Sequence, residues 1–253
     1  DLQENVKDRI VLAASASHSG MIRMDFSWTA LQSAKPPGDY AWHWADESIR
    51  VAKKYNLEIL ALITESPDWA SRNEGSPDSR FYPPKEVHWA DWEAFIKALV
   101  DRYGSKGTNQ IKHWEIWNEP NTDTFWKGTA AEYARLYALA YDVIKRSDPE
   151  ATVLMGGVEE HNNPAWLFAV LNDNTYPSRN KVDILNVHMR GPAGSVLQMA
   201  GDWKTVFASQ GVTGKPLWIT EFGYTSDPAW QWDPDFKGVD ERDGEQKQAD
   251  YYE

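Results

Sequence analysis

The chain alternates between two hydrophobic periods, and no other feature restricts its possible folds as tightly. Apolar runs of strand length lie at MIRMDFSW (21–28), LEILALIT (57–64), IKHWEIWN (111–118), TVLMGGV (152–158), VDILNVHM (182–189) and PLWITEFG (216–223). Between them, residues 44–55, 85–104, 129–147, 164–172 and 195–211 space apolar side chains three and four apart, as one buried helix face requires. Strands separated by helices make a parallel sheet covered by helices, so the fold class is α/β. The helix at 129–147 carries the clearest boundaries: Thr129 caps it with Glu132 three residues on, and Asp148-Pro149 ends it.

Such units close either as an open doubly wound sheet or as a barrel. The open sheet usually places a glycine-rich phosphate loop after an early strand, and none of these strands is followed by GxGxxG or GxxxxGK. A (β/α)8 TIM barrel is therefore predicted, with about six βα units recognisable. Eight strands are needed, so the first strand is expected before Asp1 and the last βα unit after Glu253. No proline-, glycine- or serine-rich linker and no repeat divides the 253 residues, which read as a single domain, 1–253.

Composition removes several functions. The net charge of −12 argues against a nucleic-acid backbone as partner, and no apolar window is long enough to span a membrane. With no cysteine, thiolate metal sites and thiol nucleophiles are excluded. The six histidines (18, 43, 88, 113, 161, 188) form no HxH or HExxH pattern, so neither a metal nor a cofactor is expected.

Two carboxylates stand out. In HWEIWNEPN, Glu119 lies where a strand ends and a proline starts a loop; in PLWITEFGY, Glu221 holds the same place on a later strand. Barrel active sites lie at that rim. By alternation His113, Glu115, Trp117 and Glu119 share one face, as do Leu217, Ile219 and Glu221, so both glutamates are expected to point inward. Facing carboxylates suit glycoside hydrolysis, one as acid and one as nucleophile or base. The plainer alternative is that they cap helices or pair with arginine.

These motifs, WNEP on one strand and TEFG on a later one, resemble the retaining glycosidases of clan A, the superfamily of cellulases, mannanases, xylosidases and β-galactosidases. WEIWNEPN followed by FW and EYARLYALAYDVIKRSDP is most similar to family 39, which holds β-xylosidases, α-L-iduronidases and exopolysaccharide endoglycosidases. The resemblance implies a covalent glycosyl-enzyme route, with Glu119 as acid/base and Glu221 as nucleophile. It implies that Asn118 binds the sugar 2-hydroxyl, that Arg23 orients the nucleophile and that His188 faces inward beside Asn186. A structural ion pair of Arg23 with Glu115 or Asp25 stands as the alternative. Relatives usually carry HxY where this chain has His188-Met189-Arg190; either Arg190 marks an acidic substrate or Tyr224 supplies the hydroxyl. A non-catalytic carbohydrate-binding barrel is the competing reading. A secreted or periplasmic location is expected, with a cytoplasmic one open.

The partner class is then an oligo- or polysaccharide, and the 14 tryptophans bear on it. Trp42, Trp44, Trp89, Trp92, Trp166 and Trp203 fall on helices and are assigned to packing. Trp28, Trp69, Trp117, Trp126, Trp230 and Trp232 fall at strand ends or loops and are expected to offer flat faces to sugar. The loop 225–243 is read as a rim loop.

Overall fold

The computed structural model describes residues 11, 15–16, 18–36, 39–107, 110–159, 164–190 and 193–223. Among them, seven parallel strands form two sheets: β1 (Met21–Ser27), β2 (Glu58–Thr64), β3 (His113–Ile116) and β4 (Thr152–Met155) in one, and β5 (Val158–Glu159), β6 (Leu185–Arg190) and β7 (Leu217–Gly223) in the other. The helices are α1 (Trp28–Leu31), α2 (His43–Lys54), α3 (Trp89–Tyr103), α4 (Ala130–Ser147), α5 (Ala165–Leu171) and α6 (Ala193–Ser209). This is the predicted α/β barrel architecture. The rim loop read at 225–243 lies outside the described residues.

Alternation sorts the strand residues into two layers. Phe26, Ile59, Ala61, Ile63, Trp114, Ile116, Val153 and Val187 turn outward into one large core with Trp92, Phe95, Leu99, Tyr133 and Tyr137 from α3 and α4. Each such fully buried large side chain contributes about 3 kcal/mol of burial. The inward layer is small: Leu60, Leu154 and Ile184 pack with Met21 and Trp218 to close the barrel floor. Above that floor the inward positions turn polar, with Arg23, Glu115, Asn186 and His188. The apolar floor thus carries a polar chamber.

The cap of α4 forms as the sequence dictates. The Thr129 side chain accepts from the Glu132 amide while Glu132 accepts from the Thr129 amide, a complete capping box.

Three expectations need correction. The run 152–158 is not one strand: it breaks at Gly156-Gly157, and among the described residues the strand pairing between the sheets there is reduced to an isolated bridge between Leu154 and Ile184. The two glycine amides leave the ladder for side chains, Gly156 donating to the Tyr133 hydroxyl (2.9 Å) and Gly157 to the Glu115 carboxylate (3.0 Å). Second, Trp28 does not end a strand at the rim. It starts α1, fully buried, stacked on Phe95 and tilted against Trp92. Third, Leu217 and Ile219 do not share a face with Glu221; they pack into the outer core, while Trp218 faces the floor. The ladder shifts register between Val187 and His188, so Thr220 is an extra residue, and this bulge turns Thr220 and Glu221 inward one after the other.

Candidate active site

Glu119 and Glu221 meet at the strand C-terminal rim, through irregular backbone in each case. Beyond Ile116, Trp117 has φ of 72° and Glu119 φ of 38°, conformations that non-glycine residues adopt at a cost of about 1–3 kcal/mol. The cost is offset locally. The Trp117 amide donates to Ile63 (2.8 Å), its indole donates to the Phe125 carbonyl (2.7 Å), and Thr122 closes a turn onto the Glu119 carbonyl (3.0 Å). Gly156 makes room for this detour, since a β-carbon there would lie 2.4 Å from the Trp117 carbonyl oxygen.

Arg23 organises the chamber. Its Nε donates to Glu115 at 2.7 Å and its Nη2 to the other Glu115 oxygen at 3.0 Å; Nη2 also reaches Asn118 Oδ1 at 2.8 Å, and Nη1 reaches Glu221 Oε1 at 2.6 Å. Glu115 is fully buried and also accepts from Gly157 and from Asn186 Nδ2 (2.8 Å). Burial disfavours the Arg23 charge, but the two carboxylates outweigh it and hold the guanidinium protonated more firmly than usual. The structural ion pair and the contact with Glu221 thus fall on the same arginine, with Glu115 and not Asp25 as the buried partner.

From the other sheet, His188 Nδ1 lies 2.8 Å from Glu119 Oε1 and 3.7 Å from Glu221 Oε2. Arg190 reaches the same two oxygens, Glu221 Oε2 at 3.1 Å and Glu119 Oε1 at 3.5 Å. Burial alone would raise the Glu119 carboxyl; the hydrogen bond and charge of His188, then Arg190, more than cancel this and leave it below the ordinary carboxylate range. One atom each from Glu119, His188 and Glu221 lie within 4.8 Å of one another, a donor set a divalent cation could use. The Arg190 and Arg23 guanidiniums already sit on those carboxylates, so the arrangement fits ion pairs better than a metal.

A cavity of about 280 Å³ opens beside the pair, lined by Arg23, Asp25, Leu62, Thr64, Glu65, Arg80, Phe81, Trp117, Asn118, Phe125 and Glu221. Asp25 opens onto it. Loss of bulk water, followed by the negative charges of Glu65, Glu115 and Glu221, pushes its carboxyl above the ordinary range against the pull of Arg23. Glu65 (φ 65°) is held by the Ser27 hydroxyl at 2.6 Å.

Of the residues named from sequence, Glu119, Glu221, Asn118, Arg23 and His188 come together. Trp69 and Trp126 do not line this cavity. Trp69 is half-buried, donates to the Gln32 carbonyl (3.1 Å) and sits edge-on to Trp28 and His88. Trp126 is 2% exposed and sits edge-on to Trp117 and Tyr133. Tyr224, Trp230 and Trp232 lie outside the described residues. Among the packing set, Trp44 is exposed instead. The sequence did not mark Glu65, Arg80, Phe81 or Thr220 as site residues, and named Asp25 only as a possible partner of Arg23. Asp25 carried a signal, standing two residues after Arg23 on the same strand face; Phe81, which ends a short 3-10 turn, carried none.

The family described as Glycosyl hydrolases family 39 matches residues 70–202, which include Asn118, Glu119 and His188. The chain is 41% identical over 78 residues to a beta-xylosidase of Caldicellulosiruptor saccharolyticus, a stretch covering 28% of this chain and 15% of that protein. It is 34% identical over 87 residues to a beta-xylosidase of Geobacillus stearothermophilus, covering 31% and 17%. A family 39 glycoside hydrolase from the gut symbiont Bacteroides cellulosilyticus WH2 superposes with a TM-score of 0.70 at 17% identity, over 97% of this chain and 49% of that one. The chain thus spans about half of that solved structure, and the stretches matched in the two xylosidases are shorter still. The family match covers more than half of the sequence, and on that ground the chain belongs to glycosyl hydrolases family 39.

Proposed function

We propose that this chain carries the catalytic centre of a retaining glycoside hydrolase that cleaves β-linked oligo- or polysaccharides, with Glu119 as acid/base and Glu221 as nucleophile. The observation that carries the reading is the spacing of the two carboxyls, whose nearest oxygens lie within 4.8 Å. Retaining pairs stand roughly 5–5.5 Å apart, whereas inverting pairs leave about 6.5–9.5 Å for a water. The resemblance of part of the chain to two proteins named beta-xylosidase makes β-xylosides the first substrates to try.

In this reading Arg23 and Arg190 each hold one oxygen of Glu221, which keeps it aimed. Glu221 attacks the anomeric carbon as the glycosidic oxygen takes a proton from Glu119. The leaving sugar departs, and Glu119 then takes a proton from the water that releases the glycosyl ester. Asn118, fixed through its Oδ1 by Arg23, presents its amide nitrogen to the sugar.

The test is direct. Glu221→Gln should abolish turnover of an aryl β-xyloside, and Glu119→Ala should lose natural substrates yet regain activity on an activated aryl glycoside when azide is added. Full activity in the first variant, or no azide effect in the second, would sink the assignment.

A further inference from the structure

The chamber floor contains a hydrogen-bond chain whose direction can be deduced atom by atom. Asn186 Nδ2 contacts the Met155 carbonyl at 3.0 Å and Glu115 Oε1 at 2.8 Å. A carbonyl and a carboxylate only accept, so this atom is the amide nitrogen and Asn186 Oδ1 is an acceptor. The Thr220 hydroxyl, 2.8 Å from that oxygen, must donate to it. A hydroxyl has one proton. Thr220 Oγ1 therefore has only lone pairs left for His188 Nε2 at 3.1 Å, and Nε2 must carry a hydrogen. This leaves Nδ1, 2.8 Å from Glu119 Oε1, as the nitrogen that shares a proton with the acid/base.

We propose that Thr220 is a positioning residue for general acid catalysis: by fixing hydrogen on His188 Nε2, it makes His188 Nδ1 and Glu119 a pair that holds one transferable proton. The inference rests on the assignment of Glu119 as acid/base. When the pair holds its proton, it is either imidazolium with carboxylate or imidazole with carboxylic acid. The second form delivers the proton from Glu119 to the glycosidic oxygen as the bond from that oxygen to the anomeric carbon breaks and Glu221 bonds to the same carbon. What remains is a neutral imidazole lone pair facing a carboxylate lone pair, two acceptors at 2.8 Å. That arrangement is a good base, and it regains its proton from the water that cleaves the glycosyl ester.

With hydrogen moved to Nδ1, a neutral His188 would instead donate to an ionised Glu119 and oppose its protonation. The other charges facing the pair are Arg190 on β6, Glu221 on β7, Arg23 on β1 through Glu221, and Glu115 on β3 through Asn186. None of these fixes the tautomer, because none touches Nε2.

Thr220→Val keeps the shape and removes the hydroxyl, whereas Thr220→Ser restores it. The valine variant should turn over β-xylobiose, whose leaving group needs a proton, at least about tenfold more slowly, while a dinitrophenyl β-xyloside, which needs none, stays within about twofold. Its alkaline limb of kcat against pH should move to lower pH, and serine should recover most of the loss. Equal slowing of both substrates, or no recovery with serine, overturns the proposal. Nitrogen-15 NMR of His188, assigned with His188→Gln, reads the tautomer without turnover: neutral imidazole should carry hydrogen on Nε2 in the wild type and on Nδ1 in Thr220→Val. Hydrogen on Nδ1 in the wild type overturns the proposal too. A wild type that cleaves no β-glycoside would sink the hydrolase reading instead, and the NMR result would still decide the tautomer.

Discussion

A β-carbon on Gly157 would lie 2.1 Å from Nε2 of His188, inside the buried ring that supports Glu119. Gly157→Ala should therefore push the ring away from Thr220 and Glu119. Overpacking of this kind costs about 1–3 kcal/mol, so the variant should fold with a lower unfolding midpoint. If Glu119 is the acid/base as proposed, kcat should fall more than KM changes, because the defect lies behind Glu119 and away from the cavity wall. Steady-state kinetics beside urea unfolding will separate the two effects.

Arg190 bridges two carboxylates that repel each other, and it holds neither one alone. In Arg190→Ala, kcat should fall about 100-fold, the loss typical of removing one oriented charge donor, and millimolar guanidinium should restore part of it. The sign of the pH effect follows from Glu119, whose carboxyl Arg190 helps to hold down. Without that cation the carboxyl rises, and the alkaline limb of kcat against pH moves up.

Glu119 also links folding to pH. Its folded carboxyl lies below the ordinary range, so its contribution to stability is complete above that range and is lost as pH falls through the folded value. Chemical denaturation from neutral pH into acid should show a shallower loss for Glu119→Gln than for the wild type. Parallel curves would show that the pairing with His188 contributes nothing to folding.

The tryptophans divide by depth. Trp126→Ala should cost about 3–5 kcal/mol of stability, as expected for a buried indole set against Trp117 and Tyr133. Phe81→Ala, on a half-buried cavity side chain, should leave the unfolding midpoint nearly unchanged and raise KM several-fold for oligosaccharides. The pair of variants distinguishes aromatic rings that build the site from those that meet sugar.

The sequence made the layers legible because a parallel strand writes its faces in period two and a helix in period 3.6. It placed Glu119 and Glu221 at one rim because WNEP and TEFG mark strand ends, whereas Arg23, Asn118 and His188 were expected there only through the family resemblance. Alternation misled at Leu217 and Ile219, since a bulge adds a residue without any compositional trace. It also made Trp28 and Trp126 look like rim residues, because a residue next to a loop can still turn into the core. The cavity wall drew on Glu65, Arg80, Phe81 and Phe125, which loops bring together and periodicity cannot rank.

The break at Gly156-Gly157 puts the two facing carboxyls on different sheets, Glu119 after β3 in one and Glu221 on β7 in the other. Their separation is therefore a caliper reading, with each sheet as a jaw and the Leu154–Ile184 bridge near the pivot. Trimming either of those floor side chains, which lie below the polar chamber, would alter the gap at the tip, so the spacing of the two carboxyls is calibrated from the apolar floor.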